Sequence, residues 1–214
     1  MIYSLLYYIL LYLLMSTDIE EIPISSFPGN IYIIRDLIQN TFCENMRNLI
    51  DQQATHNSMY SNTNSVKAYV TVLNDINVDN IFIKQDISLL LSGYIRAIPN
   101  IISKIRPNIF QNFIPTISTI EFRKIYGETK QHIDNISADN SRILTCIIML
   151  NDDYDDGIFS FPDQNVNFKP KKGDVILFPP YWTHPHRVST PNNGFRYTIA
   201  FWYKHHSDND ISIS

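Results

Sequence analysis

The spacing of hydrophobic and polar positions changes character near the middle of this chain. Before residue 116 the apolar residues mostly recur at helical intervals; beyond it they gather in short β-branched and aromatic runs divided by turn residues. In "RDLIQNTFCENMRNLIDQQ", Leu37, Phe42, Met46, Leu49 and Ile50 fall near one helical face, which predicts an amphipathic helix packed on a core. Residues 56–65 are rich in Asn and Ser and predict a loop, and "VKAYVTVL" predicts a strand. "DISLLLSGYIRAIPNIISKIRP" predicts a second helix that continues in some form past Pro99, whose nitrogen carries no hydrogen to donate and should kink or split it. From Thr116 onward, "STIEFRKIY", "RILTCIIML", "GIFSFP", "DVILFP", "HRVST" and "FRYTIAFWY" read as successive short strands, so the second half predicts a sandwich or barrel. The fold class expected is mainly β with flanking helices (α+β). The chain divides into an apolar segment at 1–17, a helical and strand lead-in at 18–115 that buttresses the core, a β-rich core at 116–204 and a polar tail at 205–214 that contains His205 and His206.

The first residues, "MIYSLLYYILLYLLM", carry no charge before Asp18. At about 1.5 Å per residue such a helix sits at or below the length that spans a bilayer. Lys and Arg are missing from both flanks, so no orientation is specified, and neither a charged start nor a small-residue cleavage site marks a signal peptide. A short membrane anchor, or an extension upstream of a start at Met15, are the readings left.

Composition narrows the function. A chain of 214 residues with 44% hydrophobic content can bury one good core. Its net charge of −4 and pI near 5.8, with no basic stripe, argue against a nucleic-acid partner. The cysteines, Cys43 and Cys146, imply no disulfide framework.

The candidate chemistry lies between Glu121 and Trp202. His132-x-Asp134 places an imidazole and a carboxylate on one face of a strand, because residues i and i+2 point the same way. His184 and His186 follow in "THPHRV", and Arg196 stands ten positions beyond His186. Two imidazoles and one carboxylate on one face of an octahedral Fe(II) leave the opposite face open, which suits a bidentate 2-oxo acid and O2. Charges of +2 for Fe(II), −1 for Asp134, −2 for 2-oxoglutarate and +1 for Arg196 sum to zero, the neutralisation that a buried polyanion requires. Arginine's planar fork also receives a carboxylate bidentately.

With these motifs in place, the stretch from about Ser118 to Tyr203 resembles the 2-oxoglutarate and Fe(II)-dependent dioxygenases, in their prolyl 4-hydroxylase-like branch. "RKIYGETKQHID" resembles the strand that delivers two iron ligands, "RILTCIIMLNDDYDDGIFSFP" the next strand and a hairpin, "KPKKGDVILFPPYWTHPHRV" the segment with the distal histidine, and "GFRYTIAFWY" the last core strand with its co-substrate arginine. The resemblance implies a double-stranded β-helix (jelly-roll) core. It also implies iron on His132, Asp134 and His186, since the family's spacing to the basic anchor favours His186 over His184. 2-Oxoglutarate would be held by Arg196, with O2 and L-ascorbate as further reactants. The activity implied is hydroxylation of an unactivated C–H, of a prolyl residue in a peptide first, and otherwise of a free amino acid, a lysyl residue or a small metabolite. A non-catalytic jelly-roll or cupin binding module is the alternative from another class.

The chain also departs from the family pattern. Tyrosine is common three positions before the first ligand and opposite the distal carboxylate, where Thr129 and Met149 stand here. A thioether cannot donate a hydrogen bond, so Thr145, on the same strand face as Met149, is the candidate helper for Arg196, alongside Thr129. Asp156-Gly157 replaces the usual glycine pair of the hairpin. Candidates for a peptide groove are Tyr154, Asp155 and Asp156 before the hairpin, and Tyr181, Trp182 and His184 beside the distal ligand; each has an equally plain reading as a turn or packing residue. Asn135-Ile136-Ser137 is a glycosylation sequon directly after Asp134, where a glycan would obstruct the iron, and this favours the cytosol.

Overall fold

The computed structural model describes residues 24–56, 59–61, 66–76, 81–107, 116–135 and 142–204. The apolar segment 1–17, Ile136 and Ser137 of the sequon, His205 and His206 lie outside these. The described residues divide into two compact units, one holding 81–107 and Thr116, the other 24–76 and 117–204.

The larger unit contains β1 (Ile24–Phe27), β2 (Ile31–Ile34), α1 (Asn40–His56), β3 (Met59–Ser61) and β4 (Val66–Val72). The smaller unit contains α2 (Ile81–Ile105), one helix that continues through Pro99 instead of splitting there. Strands resume with β5 (Thr116–Ile117), β6 (Glu121–His132), β7 (Arg142–Met149), β8 (Asp155–Asp156), β9 (Phe159–Phe161) and β10 (Val166–Phe168). The remainder are β11 (Val175–Phe178), β12 (His186–Val188), β13 (Pro191–Asn192) and β14 (Arg196–Lys204).

One antiparallel sheet runs in the order β1-β2-β11-β7-β14-β6-β12-β9-β10. Its two ends meet, since the rings of Phe27 on β1 and Phe168 on β10 stack at 5.4 Å, so the sheet is nearly closed as a double-stranded β-helix. β6 makes the curvature possible. Its first half pairs with β14 (Ile125↔Arg196), its second half with β12 (His132↔His186), and its other edge with β4.

The hairpin β1–β2 was absent from the sequence-level reading, although "FPGN" carries its signal. Gly29 (φ 78°) and Asn30 (φ 64°) adopt the left-handed conformation that a tight turn needs and that these two residue types tolerate best. Ile31, Ile33 and Ile34 are then fully buried. At the far end of β2, the buried Asp174 carboxylate takes Arg35 Nη1 at 2.6 Å and the Lys171 amide at 2.9 Å, pinning β2 to the turn before β11.

The core between the two walls of the sheet includes Ile147, Met149, Phe159, Phe161, Phe178 and Val188. Burying each large side chain contributes on the order of 1.5–3 kcal/mol. α1 lies on β4 and β6, with Phe42, Met46, Leu49 and Ile50 buried as its periodicity predicts. Asp51 fastens this helix by accepting from Lys124 Nζ (2.6 Å) and Tyr197 Oη (2.7 Å). Both cysteines are free and buried, and burial pushes the Cys43 thiol up to about 11, so neither is a reactive thiolate.

Candidate metal centre and co-substrate cavity

The open end of the sheet surrounds a cavity of about 190 Å³ lined from β6, β7, β9, β12 and β14. β6 ends at His132, so Asp134 stands just past the strand rather than on it, yet it still turns into the same space. The register of β6 with β12 sets His186 directly opposite His132, and the two rings lie 4.3 Å apart. Asp134 Oδ1 is 3.2 Å from His132 Nε2 and 3.8 Å from His186 Nε2. One ligand atom from each of the three residues lies within 4.8 Å of the others.

The tautomers follow from the hydrogen bonds. His132 Nδ1 donates to the Lys130 carbonyl at 2.8 Å and His186 Nδ1 to the His184 carbonyl at 3.1 Å, each two residues back. In the neutral rings Nε2 is therefore the atom turned to a metal, held in orientation by the backbone. Burial pulls the His132 pKa down, but the Asp134 carboxylate beside Nε2 raises it overall. Burial lowers the His186 pKa to about 4 although Asp134 pulls it up, which keeps this imidazole neutral at physiological pH. Burial alone would raise the Asp134 carboxyl, but His186, His132 and the Thr145 hydroxyl hold it well below the usual carboxylate range. Its second oxygen, Oδ2, accepts from Thr145 Oγ1 (2.7 Å) and Trp202 Nε1 (3.1 Å). The donor set therefore fits a divalent ion with Oδ1 as the single free carboxylate ligand.

Arg196 occupies the opposite end of the cavity, 2% exposed. Its Nη2 donates to Thr129 Oγ1 at 3.1 Å, its guanidinium carbon lies 5.2 Å from the centroid of the Phe159 ring, and Nε and Nη1 have no partner among the described residues. Burial lowers its pKa to about 10, still well above neutral, so a full positive charge with two unused donors faces the site. That is the complement of a carboxylate.

Several residues chosen from the sequence stand elsewhere than expected. Thr145 lines the cavity, but its hydroxyl is engaged by Asp134 and not by Arg196. Tyr154 is a core side chain, 4% exposed and packed over Gly157, and not a groove residue. His184 is also buried. Its ring joins Thr183 Oγ1 (2.8 Å) and the Gly29 carbonyl, tying the β11–β12 loop to the β1–β2 turn. Asp155 and Asp156 build β8 and accept from Asn193 and Asn192, holding the β8–β13 pair. Tyr181 is partly buried, and Trp182 is 78% exposed on the loop that leads to His186. Asn135 is buried with its amide turned to the Arg142 carbonyl at 3.4 Å.

Trp202, Arg142 and Arg123 were missed. The Trp202 indole lies between two guanidiniums, with Arg142 3.8 Å and Arg123 5.5 Å from its ring centroid. Arg142 also donates to the Asp134 carbonyl at 2.7 Å, and Arg123 is paired with Glu121 at 2.6 Å. Period-two counting along β14 from Arg196 through Thr198 and Ala200 to Trp202 is the signal that would have found the tryptophan.

A double-stranded β-helix with two imidazoles and a carboxylate on one wall, and a buried cation across the cavity, has the plan of a non-haem iron oxygenase. Residues 121–204 match the model of the 2OG-Fe(II) oxygenase superfamily. Over 84 residues the chain is 33% identical to "Putative prolyl 4-hydroxylase" of Acanthamoeba polyphaga mimivirus, a match covering 36% of this chain and 35%, about a third, of that relative. The fold is shared with a prolyl-4-hydroxylase of Pseudomonas putida (TM-score 0.63, 13% identity, 94% of this chain and 100% of that one). It is shared too with a prolyl hydroxylase of Trichoplax adhaerens solved with a hypoxia inducible factor peptide fragment (TM-score 0.61, 17% identity, 94% and 90%). A viral collagen prolyl hydroxylase of Paramecium Bursaria Chlorella virus-1, solved with 2OG, aligns with TM-score 0.57 and 15% identity over 82% and 96%.

Proposed function

We propose that this protein is a 2-oxoglutarate-dependent oxygenase that hydroxylates an unactivated C–H bond, with a prolyl residue of a peptide or protein as substrate. The carrying observation is the division of labour at Asp134: Oδ1 faces both imidazoles while Oδ2 is saturated by Thr145 and Trp202, across one cavity from the unmatched donors of Arg196.

His132, Asp134 and His186 would hold Fe(II), and Arg196 with Thr129 would hold the far carboxylate of 2-oxoglutarate. Bound together with O2, these supply the oxidising power, with succinate, CO2 and the hydroxylated product released; ascorbate is the expected reductant for iron lost to side oxidation. The chain's own contribution is placement and exclusion of water. The two backbone carbonyls fix the imidazole tautomers, the Thr145 and Trp202 hydrogen bonds fix the carboxylate, and Phe159 and Val188 present an apolar wall. Arg123, Arg142 and Trp202 form the flat, charged flank against which a substrate backbone would lie. A cavity of about 190 Å³ admits a co-substrate and one small side chain rather than a whole chain segment, which supports a peptide reaching in with a single residue. The names of the mimivirus relative and of the structural neighbours point the same way.

The test is anaerobic addition of 2-oxoglutarate to the Fe(II)-loaded protein, followed by O2 and proline-containing peptides. A visible charge-transfer band, then a one-oxygen mass gain on proline matched by succinate, is expected. No band would return the protein to a binding module or cupin, and a band with oxidation of free amino acids or lysyl peptides alone would replace the substrate.

A further inference from the structure

His132 and His186 are oriented in the same way, each by a backbone carbonyl two residues back, yet the two carbonyls are held differently. Lys130 lies inside β6, where the sheet fixes its peptide. His184 precedes β12 and belongs to the 179–185 loop, so its carbonyl lies outside the strand it serves. The same loop reaches the carboxylate as well: the Pro180 carbonyl accepts the Asn135 amide at 2.9 Å, immediately after Asp134 and past the end of β6. Two of the three metal-facing side chains thus take their backbone support from one loop. The His184 side chain, 6% exposed, fastens that loop. Its Nε2–H donates to the Gly29 carbonyl in the β1–β2 turn, which leaves Nδ1 to accept from Thr183 Oγ1 at 2.8 Å. Both ring nitrogens are therefore occupied away from the metal. Gly29 permits this close approach, since a Cβ there would stand 3.1 Å from His184 Nε2 and 2.7 Å from Gln164 Cγ. Gln164 Nε2 in turn donates to the Thr183 carbonyl at 2.7 Å, a second tie on the same loop.

We propose that His184 is a positioning residue of the metal centre: by anchoring the 179–185 loop to the Gly29 turn, it sets the carbonyl that orients His186 and the peptide that follows Asp134. The β1–β2 hairpin, 155 residues away in the chain, thereby governs metal affinity from outside the cavity. This rests on the metal-site reading given under Proposed function and adds to it a support that touches neither metal nor co-substrate.

The experiment uses the full chain with Co(II) as the probe. It measures Co(II) affinity by chelator competition well below the melting temperature, the visible d–d spectrum of the bound ion, and 2-oxoglutarate affinity at saturating metal by calorimetry. His184→Leu deletes both ring hydrogen bonds and should weaken Co(II) about tenfold, the lower end of what supporting partners of a ligand contribute. Its d–d spectrum should change shape, while 2-oxoglutarate affinity at saturating metal stays within about twofold, because Arg196 stands at the other end of the cavity. His184→Gln, whose amide nitrogen can take the place of Nε2 on the Gly29 carbonyl, should recover most of the affinity. Thr183→Val, an exposed substitution that frees the ring at Nδ1 alone, should give a loss of about threefold. A lower melting temperature for metal-free His184→Leu, with wild-type Co(II) affinity and spectrum, would overturn the proposal, since the clamp would then serve folding only. Equal losses in the Leu and Gln variants would overturn it too. Should His184→Leu not fold, Thr183→Val decides, and wild-type affinity and spectrum there would count against the proposal. Failure of the wild-type protein to bind Co(II) would remove the metal-site reading itself, and so is told apart from failure of His184 alone.

Discussion

The two ends of the cavity are finished to different degrees. At the Asp134 end each polar atom named above apart from the metal-facing ones has a partner: two imidazole Nδ1 atoms on backbone carbonyls, and a carboxylate oxygen on Thr145 and Trp202. At the Arg196 end, donors are left over on a side chain that is almost wholly buried. The first end is organised before anything binds; the second is completed by what binds. An apo protein therefore carries its unfavourable electrostatics where the co-substrate arrives, and its rigidity where the metal sits.

The largest effect should come from the organised end. Asp134→Ala or His186→Ala leaves too few ligands for a stable octahedral site, and hydroxylation should fall below detection, with bound iron assayed by colorimetric chelation. Arg196→Met comes next and breaks the comparison from the other side. Affinity for 2-oxoglutarate should drop about 10- to 100-fold with metal binding retained, since hydrogen bonds to charged groups are worth about 1.5–3 kcal/mol. Because Met removes an incompletely matched buried charge, the same variant should melt higher than wild type without ligand. A lower melting temperature would mean that the guanidinium is stabilised within the fold already. Trp202→Phe keeps the ring between Arg142 and Arg123 but deletes the N–H on Asp134 Oδ2, so metal affinity should fall about 10- to 100-fold, with 2-oxoglutarate affinity at saturating metal unchanged. The smallest effect is expected at Trp182→Ala. That side chain touches neither end, so a few-fold rise in the KM for peptide, with the co-substrate KM constant, is the result that would place the peptide across the β11–β12 loop.

The same contrast explains what could be read from the chain. Long-range order of chemical types was legible: His132, Asp134, His186 and Arg196 announce themselves by identity and spacing, and the β-rich second half follows from runs such as "RILTCIIML". Helix α1 was legible because its apolar residues share one face. What escaped was pairwise direction. Thr145 and Thr198 both stand inward on neighbouring strands, and only the register decides that Trp202 is the residue opposite Thr145 while Met149 is opposite Thr198. Nothing local in the sequence distinguishes a tyrosine folded into the core, as Tyr154 is, from one standing at the rim. The tie from His184 to Gly29 crosses 155 residues and has no signature in the sequence around it.

The split pairing of β6 bears on how this protein can vary in length. One strand supplies Ile125 against Arg196 at one end and His132 against His186 at the other, while β4 runs along its far edge. β6 already absorbs register shifts between Ile125 and His132 where it pairs with β12 and β4, so a further residue added or deleted there would need a compensating bulge or would reverse the inside and outside of one side of the change. Either the wall beside the anchor or the first imidazole would then turn outward. Indels that are harmless at the surface turns are thus constrained here, and the length of this strand, bulges included, serves as the ruler that fixes the distance between the two halves of the reaction centre.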